Sequence, residues 1–362
     1  MSSSFGNKLK VSIFGESHGR GIGCTIDSLP AGEKIDLDRL NQFMGRRAPG
    51  KNKFGTKRKE KDEVEFLSGI VDGVTTGSPL TGIIFNKDQK SKDYKNLEIV
   101  PRPSHADFTA YVKYRGFADM RGGGHFSGRL TAPICIAGGI AKQILERKNI
   151  YVGAHLLSLG ELKDDSYDFV NLSKEDLEAV SNRDFPVLNK ETSQLMKEYL
   201  NDIRNEQDSI GGIIEAGVIG LPVGLGNPMF DGIENKLAKV LFGVPGIKGL
   251  EFGSGFQGTK LKGSKHNDAF DIVNGEIRTK TNNNGGIIGG ISNGMPVLLK
   301  VAMKPTPSIS LEQDSINLNT KKKEKLVIHG RHDPCIAVRA VPVIEAVIAT
   351  VILDLLMEEG LL

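Results

Sequence analysis

Apolar and polar positions alternate along this chain in two rhythms, one helical and one extended. Leu37, Leu40, Phe43 and Met44 keep the spacing of a single helical face, and Asp36 stands where a capping carboxylate belongs. That pattern predicts a helix ending near Arg46, before Pro49. Two further segments, Ala132 to Lys148 and Val341 to Met357, are apolar almost all round, as helices enclosed on every side are. The second is broken by Glu345 and Asp354, so it reads as a core helix and not as a membrane span. Leu195, Met196, Tyr199, Leu200 and Ile203 set another helix inside a polar, helix-rich stretch, Ser173 to Gln207, and Glu234 to Leu241 adds one more.

Strands are expected at Val11 to Phe14, Val64 to Leu67, Gly82 to Asn86, Tyr151 to Leu159, Gly212 to Ile219 and Gly249 to Phe252. Two more, Gly286 to Ile291 and Met295 to Met303, would be joined by a Ser292-Asn293-Gly294 hairpin turn. Runs of strands between helices, without steady alternation, favour an α+β fold with antiparallel sheets over a doubly wound parallel sheet. One internal echo stands out. Arg129-Leu-Thr-Ala-Pro133 and Arg339-Ala-Val-Pro342 each follow a polar segment bearing His and Arg, and each precedes an Ala/Ile/Val-rich helix. The expectation is one domain over residues 1–362, with a two-fold pseudo-repeat as an open alternative to chance.

Composition narrows the function classes. The chain has 362 residues, 39% of them hydrophobic and 25% charged, which suits a globular protein with a sizeable core. Its 44 glycines fall in short clusters between apolar runs, where turns are tight and backbone can approach a ligand closely. A net charge of +3 is too small to argue for nucleic acid, and the run Lys321 to Lys325 reads as a solvated loop. With no tryptophan and no aromatic-basic interleaving, a base-stacking platform is not expected. Three scattered cysteines form no C-x-x-C pair, which argues against a disulfide framework or zinc site and fits the cytoplasm.

Five segments combine glycine or proline with chemically active side chains. Gly15-Glu16-Ser17-His18-Gly19-Arg20-Gly21 sets a histidine among glycines, functional or merely an exposed loop residue. Gly45-Arg46-Arg47-Ala48-Pro49-Gly50-Lys51, followed by Thr56, Arg58, Glu60 and Asp62, is either an anion clamp or a basic helix end. In Arg102-Pro103-Ser104-His105-Ala106-Asp107 the aspartate reads as the cap of a following helix, with His105 at its entry. Arg121-Gly122-Gly123-Gly124-His125-Phe126-Ser127-Gly128-Arg129 feeds the Ala132 helix, an arrangement suited to phosphate. It is neither a Walker loop nor a dinucleotide fingerprint, and Ser127 sits in no nucleophile elbow. In His329-Gly330-Arg331-His332-Asp333-Pro334-Cys335 a coil ending in Asp-Pro lacks the helical face of a metal motif, so no metal is expected, and Cys335 reads as buried and inert. The inventory suits a small polyanion and proton movement. A phosphate-binding transferase or kinase is the alternative these residues leave open.

Taken together, GESHG at Gly15 to Gly19, Arg46 to Gly50, RPSHADFT at Arg102 to Thr109, Arg121 to Arg129, Asp208 to Gly211, Gly285 to Gly290, KPTPS at Lys304 to Ser308 and GRHDP at Gly330 to Pro334 resemble the chorismate synthase family. These motifs lie in the family's order over nearly the whole chain. The resemblance implies an α+β fold in which antiparallel sheets enclose a helical layer, a β-α-β sandwich, usually assembled as a homotetramer. It implies a lyase that converts 5-enolpyruvylshikimate 3-phosphate to chorismate by 1,4-anti elimination of phosphate and a C6 hydrogen. It implies a need for reduced FMN although nothing is oxidised overall; with no obvious extra domain in the chain, an external flavin reductase is the expected source, with an intrinsic NADPH-dependent reductase as the open alternative.

By the same resemblance His18 would protonate the departing phosphate, and His105 would protonate or stabilise reduced flavin near N1. Asp333 would be the base that helps flavin N5 receive the C6 hydrogen. Arg46, Arg47, Lys53, Arg129 and Arg339 would bind substrate, with Arg47 at a position associated with nicotinamide nucleotide. FMN would contact His125, Phe126, Ser127, Pro245, Gly246, Gly289, Lys304, Pro305, Thr306, Pro307, Ser308 and Arg331. Four departures mark this chain. His125-Phe126-Ser127 stands where Arg-Ser-Ser is common, Pro245-Gly246 for Asn-Ala, Lys53 for Arg, and Pro307 for Ser.

Overall fold

The computed structural model describes residues 3–48, 62–86, 99–328 and 333–362. Two five-stranded sheets, antiparallel throughout, form its outer layers. The first runs Ser4–Phe5, Lys10–Gly15, Gly21–Asp27, Leu80–Phe85, Glu65–Ser68 in spatial order, and the second Ile247–Phe252, Val297–Met303, Gly212–Ile219, Tyr151–Leu159, Leu162–Lys163.

Three helices fill the space between the sheets: α1 (Leu37–Arg47), α3 (Thr131–Glu146) and the long helix Ala337–Glu358; a shorter helix, α2 (Asp107–Lys113), lies at an edge discussed below. Asp36 caps α1 by accepting the backbone N–H groups of Asp38 and Arg39, as its position predicts. Helix α3 lies on the first sheet, where a Cβ added to Gly82 would stand 3.3 Å from Ile136. The Ala337 helix lies on the second, where a Cβ on Gly212 would meet Ala337 at 3.1 Å. The two helices touch almost backbone to backbone, since a Cβ on Gly138 would come within 2.2 Å of Ala346 Cα. No larger residue fits there, which is a steric reason for glycine at that position.

Cys135 sits beside Pro342 and Gly138 beside Ala346, so α3 and the Ala337 helix run parallel. Helix α1 runs against them, with Asp36 bonded to Gln143 at one end and Arg47 to Thr131 at the other. Two helix N-termini and one basic helix C-terminus therefore meet at the same end of the sandwich, and that end carries the candidate site. The Ala337 helix is long and apolar enough to cross a membrane, but 94% of its apolar window is buried inside the protein. It is the core helix the pattern predicts.

Some expectations fail for identifiable reasons. Gly286 to Ile291 is not a strand paired with Met295 to Met303. Instead Ile287–Ile288 pairs with Ile291–Ser292 around Gly289 and Gly290, both at positive φ, the geometry of a tight hairpin turn. The Ser292-Asn293-Gly294 turn is consequently not the hairpin. Lys321 to Lys325 is not simply a loop, because Lys323–Leu326 pairs with Gln313–Ile316 as an exposed hairpin. Leu37 and Leu195 keep the apolar period yet stand exposed.

Candidate active site

The floor of the site is glycine. Gly122, Gly123 and Gly124 take φ values of +60°, +88° and +53°, in the left-handed region that only glycine enters freely. A Cβ on Gly122 would lie 2.0 Å from the ring of His18, and one on Gly123 would lie 3.4 Å from Cε1 and Nε2 of His105. Two histidines from distant loops therefore rest on adjacent glycines. Ser17 N–H donates to Gly124 O at 3.1 Å, which ties the His18 loop down, and Ser127 Cβ stands 3.6 Å from the Gly123 Cβ position. His18 is 5% exposed, so the alternative of a solvent-facing loop histidine falls. The Asp119 carboxylate lies near enough to feel its charge.

His105 is held from behind. Its Nδ1 lies 2.6 Å from Asp107 Oδ1, and Asp107 also receives Arg102 through Nε on Oδ2 and Nη2 on Oδ1, both at 2.7 Å. The expected capping role of Asp107 is absent. Asp107 is the first residue of α2, whose N-cap is Ala106 with no side-chain bond, and its carboxylate turns back to Arg102 and His105. Burial pushes that carboxyl up, but the hydrogen bonds from Arg102 and His105 outweigh it and hold it well below the ordinary range.

Arginines line the next wall. Arg47 donates to Thr131 Oγ1 at 3.0 Å, to Asp62 at 2.6 Å and to Gly128 O at 3.3 Å. Arg129 makes a short pair with the same Asp62 carboxylate and reaches Asn86 Oδ1 at 3.3 Å. Asn86 in turn donates to Gly19 O at 2.8 Å, inside the His18 loop. Arg339 donates to Arg47 O at 3.0 Å and to Asp333 at 2.5 Å. Burial, with Arg339 and Arg129 close by, lowers Arg47 to about 10, and Asp62 works against that fall. The two echoing segments thus each deliver one arginine, Arg129 ahead of α3 and Arg339 in the first turn of its parallel partner.

The wall closes on itself. Pro334 O, next to Asp333, accepts Ile210 N–H at 2.9 Å, and Ser209 Oγ donates to Thr306 O at 2.8 Å. Pro305 lies beside Gly211, Lys304 Nζ reaches Ser104 O, and Ser308 Oγ takes Arg102 Nη1 at 3.3 Å. A continuous circuit of contacts therefore links Asp333, Arg339, Arg47, Asp62, Arg129, Asn86, His18, the glycine floor, His105, Asp107, Arg102 and the Lys304 to Ser308 segment.

Other expected residues stand outside that circuit. Arg46 is committed to Glu345 through two hydrogen bonds at 2.6 and 2.9 Å, with Lys142 on the same carboxylate. His125 directs Nδ1 to Gly15 O and Nε2 to Ser3 Oγ, both at 2.8 Å, and Phe126 packs toward Tyr114. Gly246 O accepts Lys304 N–H at 3.0 Å, which places Pro245 and Gly246 beside the start of the Lys304 segment. Gly289 lies in its hairpin turn near the Gly232 end of the helix Ile233–Leu241, and no hydrogen bond among the described residues joins it to the histidine loops. Lys53 and Arg331 lie outside the described residues, as do Pro49 to Lys51, Thr56, Arg58, Glu60, His329, Gly330 and His332. Cys335 is buried, and burial pushes its thiol up to about 11, so it is inert as expected. Sequence reasoning missed Asn86 and Asp119, single polar residues without a motif, and gave Asp62 no role.

A family model described as chorismate synthase matches residues 9–357. The chain belongs to the chorismate synthase family. It is 44% identical to a chorismate synthase of Lancefieldella parvula over 98% of this chain and 96% of the relative. It is also 44% identical to one of Methanococcus maripaludis, over 99% and 98%. A crystal structure of chorismate synthase superposes with a TM-score of 0.78 at 27% identity, covering 98% of this chain and 93% of that one. The α+β sandwich and the family resemblance of the motifs are thereby established, and the chain is an enzyme of the lyase class. Chorismate synthase membership also displaces the transferase or kinase alternative.

Proposed function

We propose that this chain catalyses the 1,4-anti elimination of phosphate from 5-enolpyruvylshikimate 3-phosphate, yielding chorismate, with reduced FMN as cofactor and no net oxidation. The observation that carries the reading is the closed circuit of residues around the Gly122–Gly123 floor. Gly122 has no side chain to hold the His18 ring off that floor, since a Cβ there would stand 2.0 Å from the ring. Beside the floor stand an imidazole Nε2, the Lys304 to Ser308 backbone and Ser127, polar groups suited to a flavin edge. His125 would contribute backbone only, because both its ring nitrogens are engaged.

When bound, reduced FMN would supply transient electron density to a substrate whose C6 hydrogen is poorly acidic. The remaining work falls to the chain's own groups. Arg47, Arg129 and Arg339 bind the phosphate and carboxylates, helped by the N-termini of α3 and the Ala337 helix, whose positive ends face the same anion. His18, on the glycine floor near Asp119, gives a proton to the phosphate oxygen as the C–O bond breaks. His105 presents Nε2 to the cofactor edge as the atom through which it takes up and gives back a proton, its Nδ1 being engaged by Asp107. Asp333, held through Oδ2 by Arg339, serves as the base. Arg47 is also the candidate contact for NADPH, and a homotetramer in the cytoplasm, fed by an external reductase, is the proposed working form.

The test is an anaerobic assay of the purified protein with photoreduced FMN and the enolpyruvyl substrate, repeated with oxidised FMN plus NADPH. Chorismate in the first mixture is expected, and none in the second. Product in both would give the chain its own flavin reductase, and no product in either would end the proposal.

A further inference from the structure

We propose that Asp107, clamped by Arg102, is a positioning residue that fixes His105 as the Nδ1-protonated tautomer and turns Nε2 into the site. The inference rests on the reading of His105 given above and adds the device that sets its proton. Three groups make it: Arg102, Asp107 and His105, with side chains 5%, 5% and 14% exposed.

An ionised carboxylate can only accept hydrogen bonds. Asp107 Oδ1 lies 2.6 Å from His105 Nδ1 and 2.7 Å from Arg102 Nη2, so both are donors and the imidazole proton sits on Nδ1. The 3.1 Å approach of Arg102 Nη2 to His105 Nδ1 is then a consequence of two donors converging on one oxygen, since an Nδ1 bearing a proton has no lone pair to offer. Nε2 keeps its lone pair, and the Cε1–Nε2 edge is the side of the ring that faces the Gly123 position. The carboxylate cannot rotate away. Arg102 grips both its oxygens through the planar guanidinium, its own backbone N–H adds a bond to Oδ2 at 3.0 Å, and its remaining Nη1 reaches Ser308. The same arginine thus couples the tautomer of His105 to the Lys304 to Ser308 segment.

A purely architectural role for Asp107 would be to cap α2, and the carboxylate makes no capping bond. Asparagine at 107 separates the alternatives. Its single carbonyl oxygen would be claimed by Arg102, leaving the amide N–H₂ to face His105 and forcing Nδ1 to become the acceptor. The predicted result is a switch to the Nε2-protonated tautomer with the fold intact.

The experiment uses the full chain labelled with ¹⁵N-histidine, with the His105 resonances assigned by comparison with His105→Gln. In the cofactor-free wild type, Nδ1 should give a protonated-nitrogen shift and Nε2 an unprotonated one at neutral pH, and Asp107→Asn should reverse them. In the anaerobic assay Asp107→Asn should lower kcat by about 10²-fold with KM for the phosphorylated substrate changed less than about threefold, and Asp107→Glu should recover part of the loss. A wild type already protonated on Nε2, or an Asp107→Asn variant with unchanged tautomer, overturns the proposal. The tautomer readout needs neither cofactor nor turnover, so it is independent of the reading on which it builds. If the tautomer reverses while His105→Ala turns over at the wild-type rate, His105 is not a participant, and the catalytic half of the proposal falls with that reading.

Discussion

Replacing Gly122 by alanine tests whether the glycine floor places His18. The added Cβ would stand 2.0 Å from Cε1 and Nδ1 of the ring, where carbon contacts settle at about 3.5–4.0 Å, so the imidazole must retreat by about 1.5 Å. Displacements of about 1 Å cost on the order of 10²-fold when a reacting group leaves its productive position. The expected fall in kcat is therefore at least about 10²-fold, or about 2.7 kcal/mol of barrier. Gly122 also sits at φ +60°, so alanine adds about 1–2 kcal/mol of left-handed strain that should appear in the melting temperature. Gly123→Ala is the control. It carries comparable strain at φ +88°, but its Cβ would meet His105 at 3.4 Å, an ordinary contact. The paired assay is anaerobic chorismate formation with photoreduced FMN, alongside thermal melts of both variants. Similar destabilisation with a kcat loss confined to Gly122→Ala is expected. Equal kcat losses in the two variants, or none in Gly122→Ala, would mean that the ring is not placed by the floor.

Three other outcomes follow from the same geometry. Arg47→Ala should raise KM for the substrate more than it lowers kcat, because the proposed contact would be made in ground and transition states alike, and a pure kcat effect would contradict the binding role. Asp62→Ala should destabilise the protein by about 3–5 kcal/mol in urea titrations, since Arg47 and Arg129 would then be buried without their shared carboxylate. His155 is buried between Asp164 and Glu215. Burial lowers its pKa, but the hydrogen bonds it donates to those two carboxylates, and their charges, prevail and raise it. A raised histidine stabilises fully below its unfolded value near 6.5 and loses that contribution as pH climbs through the folded value. The stability gap between wild type and His155→Gln should therefore be largest near pH 6 and narrow toward pH 9, and a constant gap would show that His155 stays neutral.

The parts of the fold legible in the sequence were those that repeat a local rule. Asp36 with Leu40, Phe43 and Met44 announces α1, and the apolar run after Val341 announces a buried helix because nothing polar interrupts it for long. Where the rule was ambiguous the reading slipped. Gly286 to Ile291 is apolar enough for a strand, but Gly289 and Gly290 bend it into a hairpin of its own. In the site, His18, His105, Asp333, Arg47, Arg129 and Arg339 were visible because glycine, proline or arginine marks each segment. Asn86 was not, and Asp62 was noted beside the Arg46-Arg47 segment without a role, since their importance lies in bridging residues far away in sequence. Asp107 was read as a cap because its position at a helix start is identical in both roles, and only the direction of its carboxylate distinguishes them.

The contact of Gly138 with Ala346 reaches beyond packing. Two rods bolted together at mid-length act as callipers, and the arginines at their tips, Arg129 and Arg339, are the jaws. Widening the bolt by one methyl group would spread those tips, so, on the binding role proposed for the two arginines, a change deep in the apolar interior should be felt first as weakened grip on an anion at the mouth of the protein.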